Sequence, residues 1–202
     1  MHAIAETRRS NSVLSLITAN LVTIALALYE GWNLQELMLI YWAQSIIIGY
    51  YNVRRILDLR QFSTENFKMN DVRPPENERT KRSTAFFFAI HYGLFHVVYL
   101  MFLVAGDQKF EGSWLLLCAC VVAFLLNHRH SYHYYRQQDQ DRKPNIGTIM
   151  FFPYARVVPM HLTIIFGNAF GPPTSFGLVL FLGLKSAADV VMHTIEHASW
   201  RK

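Results

Sequence analysis

The stretch TAFFFAIHYGLFHVVYLMFLVA, from Thr84 to Ala105, decides the fold class because it is long and contains no Asp, Glu, Lys or Arg. An apolar helix of about 20 residues is what a hydrocarbon core about 30 Å thick requires. Further apolar stretches lie on both sides of it, at residues 13–29, 36–53, 113–127, 147–170 and 174–193. The sequence therefore predicts an all-α protein, a polytopic membrane helix bundle of about six transmembrane helices that forms one domain over residues 1–202.

The composition agrees with this prediction once the distribution of polar residues is considered. Charged residues make up 16% of the chain and hydrophobic residues 52%, whereas soluble domains average roughly 25% charged residues. The mean hydropathy is only +0.16, because two polar loops, residues 54–83 and 128–145, and both termini dilute the apolar stretches. No small-residue cleavage site follows residues 13–29, so we expect a retained helix and not a signal peptide. Cys118 and Cys120 lie in one apolar stretch and offer neither a disulfide framework nor a CxxC metal motif.

The basic residues predict the orientation in the membrane. Sixteen of the nineteen Lys and Arg residues fall in the two polar loops and the two termini, and basic residues near helix ends stay on the cytoplasmic side. Both termini are therefore expected in the cytoplasm, and the protein in a prokaryotic cytoplasmic (inner) membrane. The net charge of +5 then indicates contact with anionic membrane lipids rather than with nucleic acid. The loop at residues 54–83 is expected to be partly disordered or an interfacial connector, without chemistry of its own.

The last apolar stretch carries a polar stripe. Lys185, Asp189, His193 and His197 follow one another at intervals of four, which places them on one face of a helix, and Glu196 lies beside the last. The spacing of His193 and His197 is the one by which a single helix offers two imidazoles to a metal ion. A structural ion pair between Lys185 and Asp189 is the alternative interpretation of part of this stripe.

Other predicted helices carry polar residues at membrane depth, where ionisable groups are costly and usually have a partner. Counting from the cytoplasmic helix ends puts several of them at similar depths, which predicts that they converge on one interior cavity. Alternatively, a histidine at this depth acts only as an interhelical hydrogen-bond partner. These residues are Gln44 and Asn52 in the second helix, His91 and His96 in the third, and Arg156 and His161 in the fifth, which Pro153 and Pro159 are expected to kink or break.

Four segments resemble a family of small bacterial multi-pass membrane proteins catalogued as a domain of unknown function. They are LIYWAQSIIIGYYNV (39–53), FFAIHYGLFHVVYLMFL (87–103), ARVVPMHLTIIFG (155–167) and LKSAADVVMHTIEHA (184–198). The resemblance implies a membrane protein with an interior polar site, but it does not indicate which activity the protein has. In that family an acidic residue often stands where this chain has Gln44. The HxxxH of His193 and His197 is also similar to that of membrane-embedded zinc hydrolases of the ceramidase and receptor-like type. This chain departs from those hydrolases in having six predicted spans, not seven, and no serine partner.

These observations support a metal-dependent intramembrane hydrolase acting on a lipid-like substrate as the first hypothesis. His193 and His197, with His91 or Asp189, would hold zinc or another transition metal, and Asp189, Arg156 and Lys185 would serve catalysis. A small proton-linked transporter, which would have to form a homo-oligomer, is the second hypothesis. A b-type haem protein with His96 and His161 as axial ligands is the third, and a structural membrane assembly factor the fourth.

Overall fold

The computed structural model describes residues 31, 34–105, 113–167, 181–184 and 186–188. Its named helices are α1 (Leu34–Asp58), α2 (Glu78–Ala105), α3 (Trp114–Gln140), α4 (Ile146–Phe151) and α5 (Tyr154–Gly167). These described ranges contain two isolated β-bridges but no strand. The all-α prediction is therefore confirmed for the part of the chain that the structure describes.

Two helices extend beyond the apolar stretches that predicted them. Helix α2 begins at Glu78 rather than near Thr84. At this start, the side chain of the preceding residue, Asn77, accepts a hydrogen bond of 3.0 Å from the Thr80 amide. Such a side-chain bond satisfies one of the amides that have no partner at a helix start. Helix α3 continues to Gln140, well past the predicted end at Asn127. Apolar length marks where a helix can cross a membrane, not where its backbone hydrogen bonding stops.

The predicted fifth helix is divided into α4 and α5. Asn145 caps α4, accepting a bond of 3.0 Å from the Thr148 amide, and Pro153 lies in the turn between the two helices. Proline lacks the amide that a continuous helix would need there. Pro159, in contrast, lies inside α5. The expectation of a break holds at Pro153.

The chain divides into two compact units, residues 38–154 and residues 1–37 with 155–202. Within the first unit, α1 and α2 pair in antiparallel directions. Trp42, near the start of α1, bonds to His96 late in α2, whereas Leu59, just after α1, accepts a bond from Lys81 early in α2. The fully buried residues of this unit include Ile56, Phe88 and Ile146. The core thus lies where α1, α2 and α4 contribute apolar side chains.

The connector between α1 and α2, residues 59–77, makes defined hydrogen bonds, which disagrees with partial disorder and leaves the alternative, an interfacial connector, as a prediction. The Ser63 amide donates to the Pro144 carbonyl at 2.9 Å, and the Ile146 amide donates to the Ser63 carbonyl at 3.0 Å. Thr64 is fully buried, and its hydroxyl donates to the Pro74 carbonyl. Backbone bonds to the segment before α4 satisfy polar groups that composition alone would assign to solvent.

Candidate functional site

Helix α2 has an inverted distribution of polarity. Its buried face includes the polar residues Thr84, Tyr92, His96 and Tyr99, with His96 only 1% exposed. From residue 86 onward its outward face is apolar apart from His91. The large exposed apolar side chains are Phe86, Phe87, Ile90, Leu94, Val97, Val98, Met101, Phe102 and Val104. A helix in water buries its apolar stripe. An apolar surface of this extent marks contact with lipid or with another protein.

Among the described residues, α2 is the helix that is long and apolar enough to cross a membrane. Only 28% of its most apolar 18-residue stretch is buried, whereas a core helix of a soluble protein would be mostly buried. This gives weak support for membrane association. The count of six spans stays a prediction.

A polar network joins α1 to the buried face of α2. The Trp42 indole nitrogen donates to the His96 carbonyl at 2.9 Å. The Ser45 and Tyr92 hydroxyl oxygens lie 2.7 Å apart, and the Tyr92 hydroxyl also lies 3.2 Å from the Ser45 carbonyl. Gly49 makes this approach possible, because a Cβ there would lie 2.6 Å from the Tyr92 ring. A small residue at a helix contact allows such a close approach.

Two buried side chains in this region have a nitrogen without a hydrogen-bond partner. His96 Nδ1 lies 2.8 Å from the Tyr92 carbonyl, but within the described part of the chain neither His96 Nε2 nor Asn52 Nδ2 has a hydrogen-bond partner. Asn52 is 8% exposed. An unpaired buried polar group costs about 1–3 kcal/mol. Such groups need an explanation in a native structure, and a bound molecule is one.

His91 and His96 face different surroundings. His91 is exposed, its Nδ1 lies 2.8 Å from the Tyr154 hydroxyl, and its ring stacks on Phe87 with centroids 5.2 Å apart. His96 is buried, its ring lies against Tyr92 with centroids 4.3 Å apart, and its backbone carbonyl accepts a bond from Trp42. The spacing of five already indicated that the two histidines do not share a helix face.

The remaining predicted site residues are distributed as follows. Gln44 Nε2 lies 3.5 Å from His128 Nε2, and His161 is exposed on α5. Arg156 lies on α5, but the structure describes only its backbone. No three His, Cys, Asp or Glu side chains of the described ranges come together in a way that could hold a metal ion. The predicted residues Lys185, Asp189, His193, Glu196 and His197 lie outside the described residues.

An ion-paired cluster between α1 and α3 was not predicted from the sequence. The Arg55 guanidinium makes two bonds to Asp139, of 2.6 and 3.1 Å, and lies 4.7 Å from the centre of the Tyr135 ring. One turn away, Asp58 pairs with Arg136 at 3.1 Å and accepts from the Tyr132 hydroxyl. The signal was present, because residues 132, 136 and 139 share one helix face. It was overlooked because residues 128–145 were interpreted as a loop.

A second charged contact holds the connector to the segment before α4. The Glu76 carboxylate lies 2.6 Å from Lys143 Nζ and 3.2 Å from Arg73, and it accepts from the Thr64 amide at 3.3 Å. The bond to Lys143, followed by the bond to the Thr64 amide, holds the pKa of Glu76 below its ordinary value. The carboxylate is therefore ionised at neutral pH and acts as a clip between residues 64, 73 and 143.

The comparisons with known proteins concern the whole chain. Residues 2–202 match the model of a family described as "Family of unknown function (DUF6498)". No curated protein and no solved structure matches the chain.

Proposed function

Because the chain belongs to this family, whose description assigns no activity, we propose a function from its own residues: a multi-pass inner-membrane protein with an interior polar site that hydrolyses a lipid-like substrate with a bound metal ion. Six spans with both termini in the cytoplasm are part of the proposal. So are membrane lipids as the surroundings and the source of substrate.

The inverted polarity of α2 is the observation that carries this proposal. An outward face of Phe, Leu, Ile, Val and Met over a buried face with His96 and Tyr92 is favourable only when the surroundings are apolar. An interior that keeps unpaired polar atoms, as at His96 and Asn52, can receive the polar part of an amphipathic molecule. The same arrangement in water would expose a large apolar surface at considerable cost.

The metal part of the proposal concerns the last apolar stretch. His193 and His197 would hold a zinc-like ion, with Asp189 or His91 as a further ligand, and the ion would lower the pKa of a bound water. His91 fits such a role in one respect: its Nδ1 is engaged by Tyr154, as the outer nitrogen of a metal-binding histidine usually is. Arg156 or Lys185 would bind an anionic group of the substrate.

Elemental analysis of the detergent-purified protein tests the metal directly. Wild type is compared with a His193→Ala, His197→Ala double variant and with a control that removes two exposed imidazoles of α3, His130→Ala and His133→Ala. We expect about one equivalent of a transition metal in wild type and control, and none in the double variant. Equal metal content in all three, or none in any under non-chelating conditions, would refute the metalloenzyme.

A proton-linked carrier is the second candidate, and a separate observation favours it. Ser45 and Asn52 are buried polar side chains of α1. About one turn after Asn52, the partly exposed Arg55 bonds to Asp139, which is only 7% exposed. Such a row is typical of proton or ion paths through helix bundles. Proteoliposomes discriminate between the candidates: Asp139→Asn would abolish proton-linked flux in a carrier but would leave the metal content unchanged.

A further inference from the structure

His96 is the buried side chain whose surroundings leave a chemical role open. It is 1% exposed, and its ring lies against Tyr92, with centroids 4.3 Å apart, and near Tyr99 at 6.0 Å. No acidic group appears among these contacts, so an unpaired positive charge on the ring would be strongly disfavoured. The imidazole is therefore neutral and carries one proton.

The hydrogen bond at Nδ1 decides which nitrogen carries that proton. The Tyr92 carbonyl, 2.8 Å away, can only accept, so Nδ1 must donate. Nε2 then carries a lone pair and can only accept a hydrogen bond, and no donor group of the described residues reaches it. The nearby Trp42 indole does not fill this role, because it donates to the His96 carbonyl instead.

We propose that His96 Nε2 accepts a hydrogen bond from a hydroxyl group of a lipid-like molecule bound between α1 and α2. The acceptor lies among aromatic rings, which suit an uncharged donor on an apolar body and do not suit an ion. The backbone bond fixes the ring, so the acceptor is oriented before the ligand arrives. This inference rests on the proposed function and adds the recognised group.

Nitrogen NMR of the histidine-labelled protein in phosphatidylcholine nanodiscs tests the proposal, because this lipid carries no hydrogen-bond donor. The probes are 1-hexadecanol and hexadecyl methyl ether, which differ at the hydroxyl hydrogen. His96→Phe identifies the His96 signals by their loss, and His91→Phe is the matched control, which loses a different pair. Should His96→Phe fail to fold, His96→Gln supplies the assignment, since an amide can keep one donor and one acceptor there.

We expect hexadecanol to shift the His96 Nε2 resonance in a saturable manner and the ether to leave it unchanged, with Nδ1 protonated throughout. No shift with either probe would overturn the proposal. Equal shifts with both probes would also overturn it, because they would report contact with the hexadecyl chain and not with the hydroxyl group. A resonance that is already hydrogen-bonded without probe and responds to deuterated water would assign the site to an ordered water and would also overturn it. Metal retained in a protein whose His96 ignores hexadecanol would refute this inference alone and leave the proposed function standing.

Discussion

Gly49 is the residue at which the packing of α1 against α2 is tested most directly. A Cβ there would lie 2.6 and 2.9 Å from two carbons of the Tyr92 ring, and Tyr92 is itself 3% exposed. We expect Gly49→Ala to lower the free energy of unfolding by about 1–3 kcal/mol, since the ring must leave its position. Thermal unfolding in detergent measures this.

Gly93 provides the control for that substitution. It lies in α2, next to Tyr92 in sequence, but a Cβ there would have nothing within 4 Å. Gly93→Ala should leave stability unchanged or raise it slightly, because alanine favours helix. Equal losses for the two substitutions would contradict the contact between Gly49 and Tyr92.

The lowered pKa of Glu76 predicts how the free energy of unfolding changes with pH. Its pKa lies below the ordinary 4.5 in the folded protein, so the ionised carboxylate adds stability that is complete above 4.5 and is lost as the pH falls through the lowered value. Glu76→Gln should remove this acid-dependent part. Lys143→Gln should move the loss to higher pH, because it removes the largest cause of the shift.

Unfolding midpoints measured from neutral pH downwards in wild type and both variants check the effect of Glu76. Curves that stay parallel at all pH values would show that the clip between residues 64, 73 and 143 contributes no acid-dependent stability.

At the scale of helices, the pair of Arg55 and Asp139 fixes α1 against α3. Its side chains are 19% and 10% exposed, and its two bonds measure 2.6 and 3.1 Å. Asp139→Asn should cost about 1.5–3 kcal/mol, as expected for a hydrogen-bonded charge that loses its partner. The unfolding free energy in detergent is the measurement, with the exchange of α3 amides as a local readout.

An exposed ion pair supplies the comparison for Asp139. Arg82 and Glu78 lie 3.9 Å apart and are 79% and 68% exposed, so Arg82→Gln should cost less than about 1 kcal/mol. Both variants change the protein by one charge. If Arg82→Gln lowered the free energy of unfolding as much as Asp139→Asn does, burial would not explain how the pair of Arg55 and Asp139 stabilises the protein.

At the scale of the whole molecule, the orientation of α2 is the prediction that decides the membrane topology. Lys68 and Lys109 lie on either side of this helix in sequence. In a background with Cys118 and Cys120 replaced by serine, Lys109→Cys should react with an impermeant maleimide in intact cells. Lys68→Cys should react only after the membrane is opened. Labelling of both from the same side would show that α2 does not cross.

The sequence determined the parts of this protein that depend on local pattern. Long apolar stretches predicted helices at α1, α2 and α3, and Pro153 predicted the break between α4 and α5, because helix formation and proline geometry act over a few residues. Membership of an uncharacterised family was likewise expected from the resemblance, and it is confirmed. The polar stripe at residues 185–197 is predicted from spacing alone, and both the stripe and its role stay predictions.

Only the tertiary structure decided which distant side chains meet. Arg55 and Asp139 lie 84 residues apart, and His91 and Tyr154 lie 63 apart. Their contacts depend on the register of one helix against another, which no local pattern specifies. The same holds for the order of the connector at residues 59–77, whose polar groups bond to the segment before α4. Whether His96 Nε2 keeps or lacks a partner is likewise settled by the surrounding helices, because a hydrogen bond needs both groups within about 3 Å.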